Sequence, residues 1–124
     1  MITKEDIDEV LAKYPLLELG GFRYPKHKPD PRGISPDSVQ KCIEFLLRHD
    51  ALDRRKTVNT KMSSYGWKHV VERYYNKQPN KTKHTYIANG DFICAALILG
   101  YKMLYDWRSH PNAYFNMRIY KEDL

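Results

Sequence analysis

The chain has 124 residues, a formal net charge of +6 and two cysteines, so it is long enough to bury a core without disulfide or metal staples. An apolar content of 42% argues against wholesale disorder, and no run reaches the length of about 18 apolar residues that a transmembrane helix needs. The first nine residues carry five charges and no apolar signal region, so we expect one cytoplasmic domain over residues 1–124, neither secreted nor bound to a membrane.

The amino-terminal third alternates helix signals with a connector. Residues 3–14 begin with a Thr-x-x-Asp capping pattern and keep apolar residues at helical spacing until a proline, which predicts a short helix. Residues 15–35 are so rich in Pro and Gly that we expect an irregular connector. A Ser-Pro pair and an apolar stripe then predict a helix over residues 36–49. Cys42 in this stripe and Cys94 further on are both expected to be buried and reduced.

The positive charge is concentrated in one segment. From Arg54 to Lys83 there are nine Lys/Arg residues against one acid, whereas residues 1–53 hold eight basic and ten acidic residues and residues 85–124 hold four of each. Aromatic residues are interleaved with this charge. Such a basic segment, over residues 54–84, is typical of a surface for a polyanion, most often nucleic-acid phosphate.

Within the basic segment the sequence predicts a polar lead-in over residues 54–62, a helix opened by Ser63 or Ser64, and a mobile basic loop over residues 76–85. The helix is expected to bury Trp67, Val70, Val71 and Tyr74. Lys68, Glu72 and Arg73 are expected to point away from that face.

The carboxyl-terminal part predicts a buried helix and a hairpin. Asn89 is placed to cap a helix over residues 89–99, Asp91 lies in its first turn, and Gly100 is placed to end it. This helix is apolar on every face, which predicts the central helix of the domain. Two aromatic, alternating runs around a turn predict a β-hairpin over residues 101–120.

The predicted elements give an α+β fold class: a small, mainly helical domain of three to four helices with a carboxyl-terminal β-hairpin, winged-helix-like in order. A recognition helix needs a polar face to read base edges, and the helix over residues 89–99 exposes little beyond its start. Contacts would then come from the Ser64 helix, the flanking loops and the hairpin.

Several strings in the carboxyl-terminal half support a resemblance. They are SYGWKH at residues 64–69, with Glu72 after it, YIANGDFI at 86–93, Ala-Ala at 95–96, Gly-Tyr at 100–101 and NAYFN at 112–116. This half of the chain resembles small, largely uncharacterised accessory proteins of phages and plasmids. The resemblance implies a mobile-element protein that acts on host nucleic acid or host defence machinery, and it supplies no catalytic residues.

The candidate binding residues follow from the charge. We expect phosphate contacts from Arg54, Arg55, Lys56, Lys61, Ser63, Ser64, Lys68, His69, Arg73, Lys81 and Lys83. Residues 60–64 could cradle a phosphate at a helix start, although an ordinary cap explains the same pattern. His69 could tune affinity between pH 6 and 7, or lie on a solvated face. At the hairpin tip, Tyr105, Trp107 and Arg108 could add stacking or groove contacts.

Catalytic and metal chemistry find little support in the sequence. The five histidines never approach ligand spacing with each other or with a cysteine, so we expect no metal and no cofactor. Both cysteines lie in apolar stripes, which disfavours a nucleophile. Asp91 as a general base lacks a partner, and capping accounts for it. We therefore expect no catalytic residue and no enzyme activity.

Three function hypotheses remain, and the oligomeric state stays open. The first is a small basic nucleic-acid-binding accessory or regulatory protein, which binds DNA or RNA with a steep salt dependence. The alternative is an interaction protein that binds and blocks an acidic surface of a host defence complex. A weaker alternative is a binder of a nucleotide or another phosphorylated small ligand at the start of the Ser64 helix.

Overall fold

The structure is a computed structural model that describes residues 1–48, 54–79 and 83–124. These residues form an α+β fold with helices and two small antiparallel sheets. The α-helices among them are α1 (Lys4–Lys13), α2 (Pro36–Leu46), α3 (Ser64–Asn76) and α4 (Asn89–Ile98). In this part of the chain, no helix is long and apolar enough to cross a membrane.

The strands pair in two separate places. Strands β1 (Leu17–Glu18) and β2 (Gly21–Phe22) form a small antiparallel pair. Strands β3 (Arg54–Asn59), β4 (Met103–Leu104) and β5 (Tyr114–Met117) form a second sheet in the order β3-β5-β4, also antiparallel. The predicted hairpin is therefore present as β4 and β5, and a short 3₁₀ helix at Lys121–Asp123 follows it.

Helices α1 and α2 begin where the sequence predicts. The Thr3 side chain accepts from the Asp6 N–H while Asp6 accepts from the Thr3 N–H, which forms the expected capping box. Ser35 caps α2 and Pro36 is its first residue. Helix α2 ends at Leu46, whereas the predicted end at residue 49 falls outside the described residues.

Two segments predicted to be irregular contain strands. The connector over residues 15–35 forms β1 and β2, and the lead-in over residues 54–62 forms β3, so both predictions are wrong in this respect. Strand β3 is polar and shows no apolar alternation, because it is an edge strand that is held by pairing with β5. Its register with β5 shifts between Arg54 and Asn59. There the buried Asn116 donates to the Arg55 carbonyl at 2.8 Å and accepts from the Lys102 N–H at 2.7 Å.

Helix α4 is the centre of the core, as predicted. Its residues from Asn89 to Ala96 are buried, and Phe92 lies between Trp67 and Phe115, with ring centroids 6.2 and 6.3 Å away. The helix ends at Ile98, and Gly100 follows at a φ of +80°, a backbone conformation that favours glycine.

Both cysteines are buried and free, as predicted, and they lie in the core around α4. Burial raises the pKa of the Cys94 thiol to about 12. It also raises the pKa of the Cys42 thiol well above its ordinary value. Both thiols are therefore protonated and shielded, as expected of small core residues.

Candidate functional site

The fold does not keep the basic segment together. Arg54 lies at the carboxyl-terminal end of α4, where its guanidinium donates to the Gly100 carbonyl at 2.9 Å and to the Leu99 carbonyl. This side chain therefore caps a helix, and its guanidinium stacks over the Tyr101 ring. Arg55 and the exposed Lys56 follow it on β3, at the same end of α4.

Other residues that were predicted to contact phosphate lie in different parts of the fold. Arg73, near the end of α3, donates to the Asp123 carbonyl at 3.2 Å and lines a cavity with Arg48 and Lys77. Lys83 is exposed in the segment that leads into α4. Lys81 lies outside the described residues.

The two serines at the start of α3 have structural bonds. The Ser63 hydroxyl accepts from the Gly66 N–H at 3.5 Å, as an N-cap. Ser64 is fully buried, and its hydroxyl accepts from the Ala113 N–H at 3.0 Å while its own N–H donates to the Ala113 carbonyl at 2.7 Å. Ser64 thus joins α3 to the hairpin, and its hydroxyl is closed to a phosphate in this conformation.

At the amino-terminal end of α4 there is an open groove of about 400 Å³, which we call the α3–α4 groove. The first turns of α3, the start of α4, the β1–β2 turn and the end of the β4–β5 loop surround it. Its lining consists of Leu19, Gly20, Arg32, Tyr65, Lys68, Tyr86, Asn89, Pro111 and Asn112.

Lys68 and Glu72 lie inside this part of the structure, so the prediction that they point away from the buried face of α3 is wrong. They are 6% and 9% exposed, and the Lys68 ammonium is 3.5 Å from a Glu72 carboxylate oxygen. The other Glu72 oxygen accepts from the buried Ile87 N–H at 2.9 Å. The Asn76 side chain bonds both the N–H and the carbonyl of Thr85. Because these bonds lay residues 85–87 across α3, that segment covers Lys68.

The predicted buried face of α3 is confirmed for three of its four residues. Trp67, Val70 and Val71 are buried as predicted, but Tyr74 is 40% exposed. His69 is half-exposed, and its Nδ1 atom lies 3.0 Å from Glu72. His69 therefore shares the carboxylate that faces Lys68.

Asn89 does not cap α4, which contradicts the prediction, because Ala88 occupies the N-cap position. Its side-chain nitrogen instead donates to the Gly20 carbonyl at 3.1 Å and to the Asn112 side-chain oxygen at 2.8 Å. Its own Oδ1 is buried and has no hydrogen-bond partner among the described residues. Asn89 therefore ties α4 to two loops and keeps one acceptor unused.

Asp91 supplies the cap of α4. Its two carboxylate oxygens accept from the Ala88 N–H at 3.0 Å and the Ser35 N–H at 3.1 Å. Burial raises the pKa of Asp91, although these two hydrogen bonds and the charge of Lys68 act in the opposite direction. These two hydrogen bonds explain the presence of Asp91 as a structural residue.

The hairpin tip (residues 105–112) is partly exposed. Trp107 is 77% exposed, and Arg108, on the surface beside it, pairs with Asp106 at 3.0 Å. Tyr105 is half-buried, and its hydroxyl is 2.6 Å from the His110 Nδ1 atom. His110 in turn stacks on Tyr24 of the connector at a centroid distance of 3.7 Å. Trp107 and Arg108 therefore lie on the surface, whereas Tyr105 anchors the tip.

Sequence reasoning missed Arg32, Tyr86, Asn89 and Asn112 as residues of one site. The available signal was the set of strings at residues 64–69, 86–93 and 112–116, which contain every groove residue except those from the connector and Pro111. Among the described residues there is no group of three or more His, Cys, Asp or Glu side chains that could hold a metal ion. No protein-family model, curated protein or solved structure matches this chain.

Proposed function

We propose that this chain is a small nucleic-acid-binding accessory or regulatory protein whose contact face lies at the amino-terminal end of α4. The face comprises the α3–α4 groove, the hairpin tip and two exposed lysines. Lys61 precedes the segment that carries Tyr65, and Lys83 precedes the segment that carries Tyr86.

One observation carries this proposal: two exposed tyrosine rings lie around the ammonium group of a lysine. The Lys68 Nζ atom is 5.5 Å from the Tyr65 centroid and 4.8 Å from the Tyr86 centroid. Lys61 and Lys83 are exposed and add charge, and neither forms an ion pair with an acid among the described residues. A cation can bind phosphate while the accessible aromatic rings around it stack on bases.

The order of elements also supports the proposal. Helix α2, strand β3, helices α3 and α4 and the β4–β5 hairpin follow one another, and β3 joins the hairpin as a third strand. We take this as a winged-helix-like arrangement in which α4 stands in the place of the recognition helix. Because the β1–β2 turn covers the start of α4, we assign contacts to α3, the loops and the hairpin tip instead.

The experiment is a fluorescence anisotropy titration with duplex DNA, single-stranded DNA and RNA at about 50 and 200 mM salt. We expect binding that weakens steeply with salt. In Lys61→Gln/Lys83→Gln, the slope of log affinity against log salt should fall by about 1.4 for a single strand or 1.8 for a duplex. The matched control is Lys56→Gln/Lys77→Gln, which removes two exposed lysines outside the proposed face and should keep the slope.

Each alternative has its own outcome. Absence of binding to all three nucleic acids at low salt would overturn the proposal. If polyglutamate binds as tightly as the nucleic acids at the same salt, the acidic-surface alternative is supported instead. Equal losses in the two double variants would show that charge acts without a defined face, which contradicts the proposed location.

A further inference from the structure

Lys68 has hydrogen-bond donors that no described residue of the protein accepts. It is 6% exposed and lines the α3–α4 groove. Its ammonium carries three donors, yet among the described residues it makes an ion pair with Glu72 at 3.5 Å and no shorter polar contact. A buried charge is favourable only when it is both paired and hydrogen-bonded. Within the described part of the chain, the Lys68 ammonium therefore lacks a hydrogen-bond acceptor.

Glu72 does not accept all the hydrogen bonds that the Lys68 ammonium can donate. One of its oxygens accepts from the Ile87 N–H at 2.9 Å, and the other lies 3.0 Å from the His69 ring nitrogen. The carboxylate is thus shared among a backbone donor, an imidazole and the ammonium. Lys68 keeps donors for an acceptor that enters from the groove.

The two tyrosines extend beyond Lys68 toward solvent. Tyr65 is 52% and Tyr86 is 62% exposed, and each presents a ring to the Lys68 ammonium. The two distances to Nζ limit the separation of the two ring centroids to about 10 Å. A planar ring stacked between two others needs a gap of about 7 Å, twice a van der Waals spacing of about 3.5 Å. The two rings are therefore close enough for both to contact one flat heterocycle that enters the groove beside Lys68.

Asn89 offers the complementary group. Both hydrogens of its side-chain amide are used, toward Gly20 and Asn112, so the amide is held in one orientation. Its Oδ1 remains without a partner among the described residues. This atom is out of contact with solvent, so a donor reaches it only when the groove wall shifts as a ligand enters. Asn89, with an acceptor that no described residue bonds, and Lys68, with donors that no described residue accepts, therefore line the same groove.

We propose that the α3–α4 groove binds one unstacked base of a single-stranded nucleic acid, an inference that rests on the proposed nucleic-acid-binding function. The base lies between Tyr65 and Tyr86. A ring nitrogen or carbonyl oxygen of the base accepts from Lys68, and an amino or imino group donates to Asn89. Every base has a stacking face, so the site selects unpaired strands over duplex rather than one sequence.

The test separates the base from the phosphate backbone. Anisotropy titrations compare a short single strand with a strand of equal length and charge whose nucleotides are abasic. The intact strand should bind at least about fivefold more tightly to the wild-type protein, since stacking of one base on aromatic residues contributes this much or more. Equal affinity for the two strands, with a steep salt dependence for both, would overturn the base site and leave the proposed function intact.

Variants of Tyr86, an exposed residue that lines the groove, complete the experiment. Tyr86→Leu removes the ring from a side chain that is mostly in solvent, and Tyr86→Phe is the matched control that keeps it. In Tyr86→Leu the preference for the intact over the abasic strand should fall toward one, while the affinity for the abasic strand stays unchanged. Tyr86→Phe should keep the preference. A preference that survives in Tyr86→Leu contradicts the proposal. Absence of binding to both single strands at low salt overturns the base site as well, and binding to duplex DNA under the same conditions would leave the proposed function intact.

Discussion

Gly90 is the second residue of α4, and the backbone of the β1–β2 turn lies directly against it. A β-carbon added at this position would lie 1.8 Å from the Glu18 carbonyl oxygen and 2.9 Å from the Leu19 carbonyl oxygen. Both atoms belong to backbone, so no side chain can rotate to make room. We expect Gly90→Ala to push the turn away from α4 and to break the bond from the Gly90 N–H to Leu19, which is 2.8 Å long.

The expected change in the free energy of unfolding of Gly90→Ala has three contributions. Overpacking of a tight site costs about 1–3 kcal/mol. Loss of the hydrogen bond costs about 0.5–1.5 kcal/mol. Alanine in a helix gains about 1 kcal/mol over glycine, which offsets part of this. The net loss is about 2 kcal/mol, which corresponds to a decrease of about 8 °C in Tm for a chain of this length.

Gly66 in α3 is the matched control. A β-carbon there would lie 2.8 Å from the Met62 Cγ atom, and this flexible side chain can move aside. Gly66→Ala should therefore keep or raise the Tm, because it gains helix propensity at little steric cost. Thermal unfolding followed by circular dichroism measures both variants. If Gly90→Ala is as stable as Gly66→Ala, the close packing of the turn on α4 is refuted, and with it this wall of the groove.

Three further predictions concern buried or half-buried side chains. Asp91→Asn leaves one of two backbone N–H groups facing an amide donor and should cost about 1–3 kcal/mol. Burial raises the pKa of Asp91, so the folded protein releases this proton at higher pH than the unfolded protein, and the contribution of Asp91 to stability falls as the pH rises above its ordinary pKa of 3.8. The difference in the free energy of unfolding between wild type and variant should therefore become smaller in urea titrations at rising pH. Cys42 and Cys94 should react with a thiol reagent at pH 8 only as the chain unfolds, and rapid stoichiometric labelling of native protein would contradict their burial. Arg54→Met should lower the free energy of unfolding by about 1.5–3 kcal/mol through loss of its bonds to the end of α4, whereas Arg55→Met should change it little.

Local sequence signals predict the helices well. Capping depends on residues within one turn, so Thr3 and Ser35 mark the starts of α1 and α2 correctly. The apolar run in α4 predicts its central position, because such a run can only be buried. The role of Gly100 in ending α4 is also predicted correctly, because the residue that follows the C-cap of a helix often has a positive φ.

Features that depend on distant parts of the chain are not predicted. Strand β3 carries no apolar alternation, and its partner β5 lies more than fifty residues away in sequence. Lys68 and Glu72 look solvent-exposed in a helical pattern, and only the crossing of residues 85–87 over α3 buries them. The groove needs four separate segments to meet, so its residues could be noted in the sequence but not assembled.

The irregular pairing of β3 has a consequence for association between copies of the chain. An exposed edge strand is a template on which a strand of another molecule can add, and long flat edges promote aggregation. Here the register shift between Arg54 and Asn59 bends the edge out of a regular ladder, and Asn116 holds the Arg55 carbonyl from inside the sheet. The charges of Arg55 and Lys56 further oppose the approach of an identical strand. The same residues that make this segment basic therefore oppose the addition of a further strand at the β3 edge of the sheet.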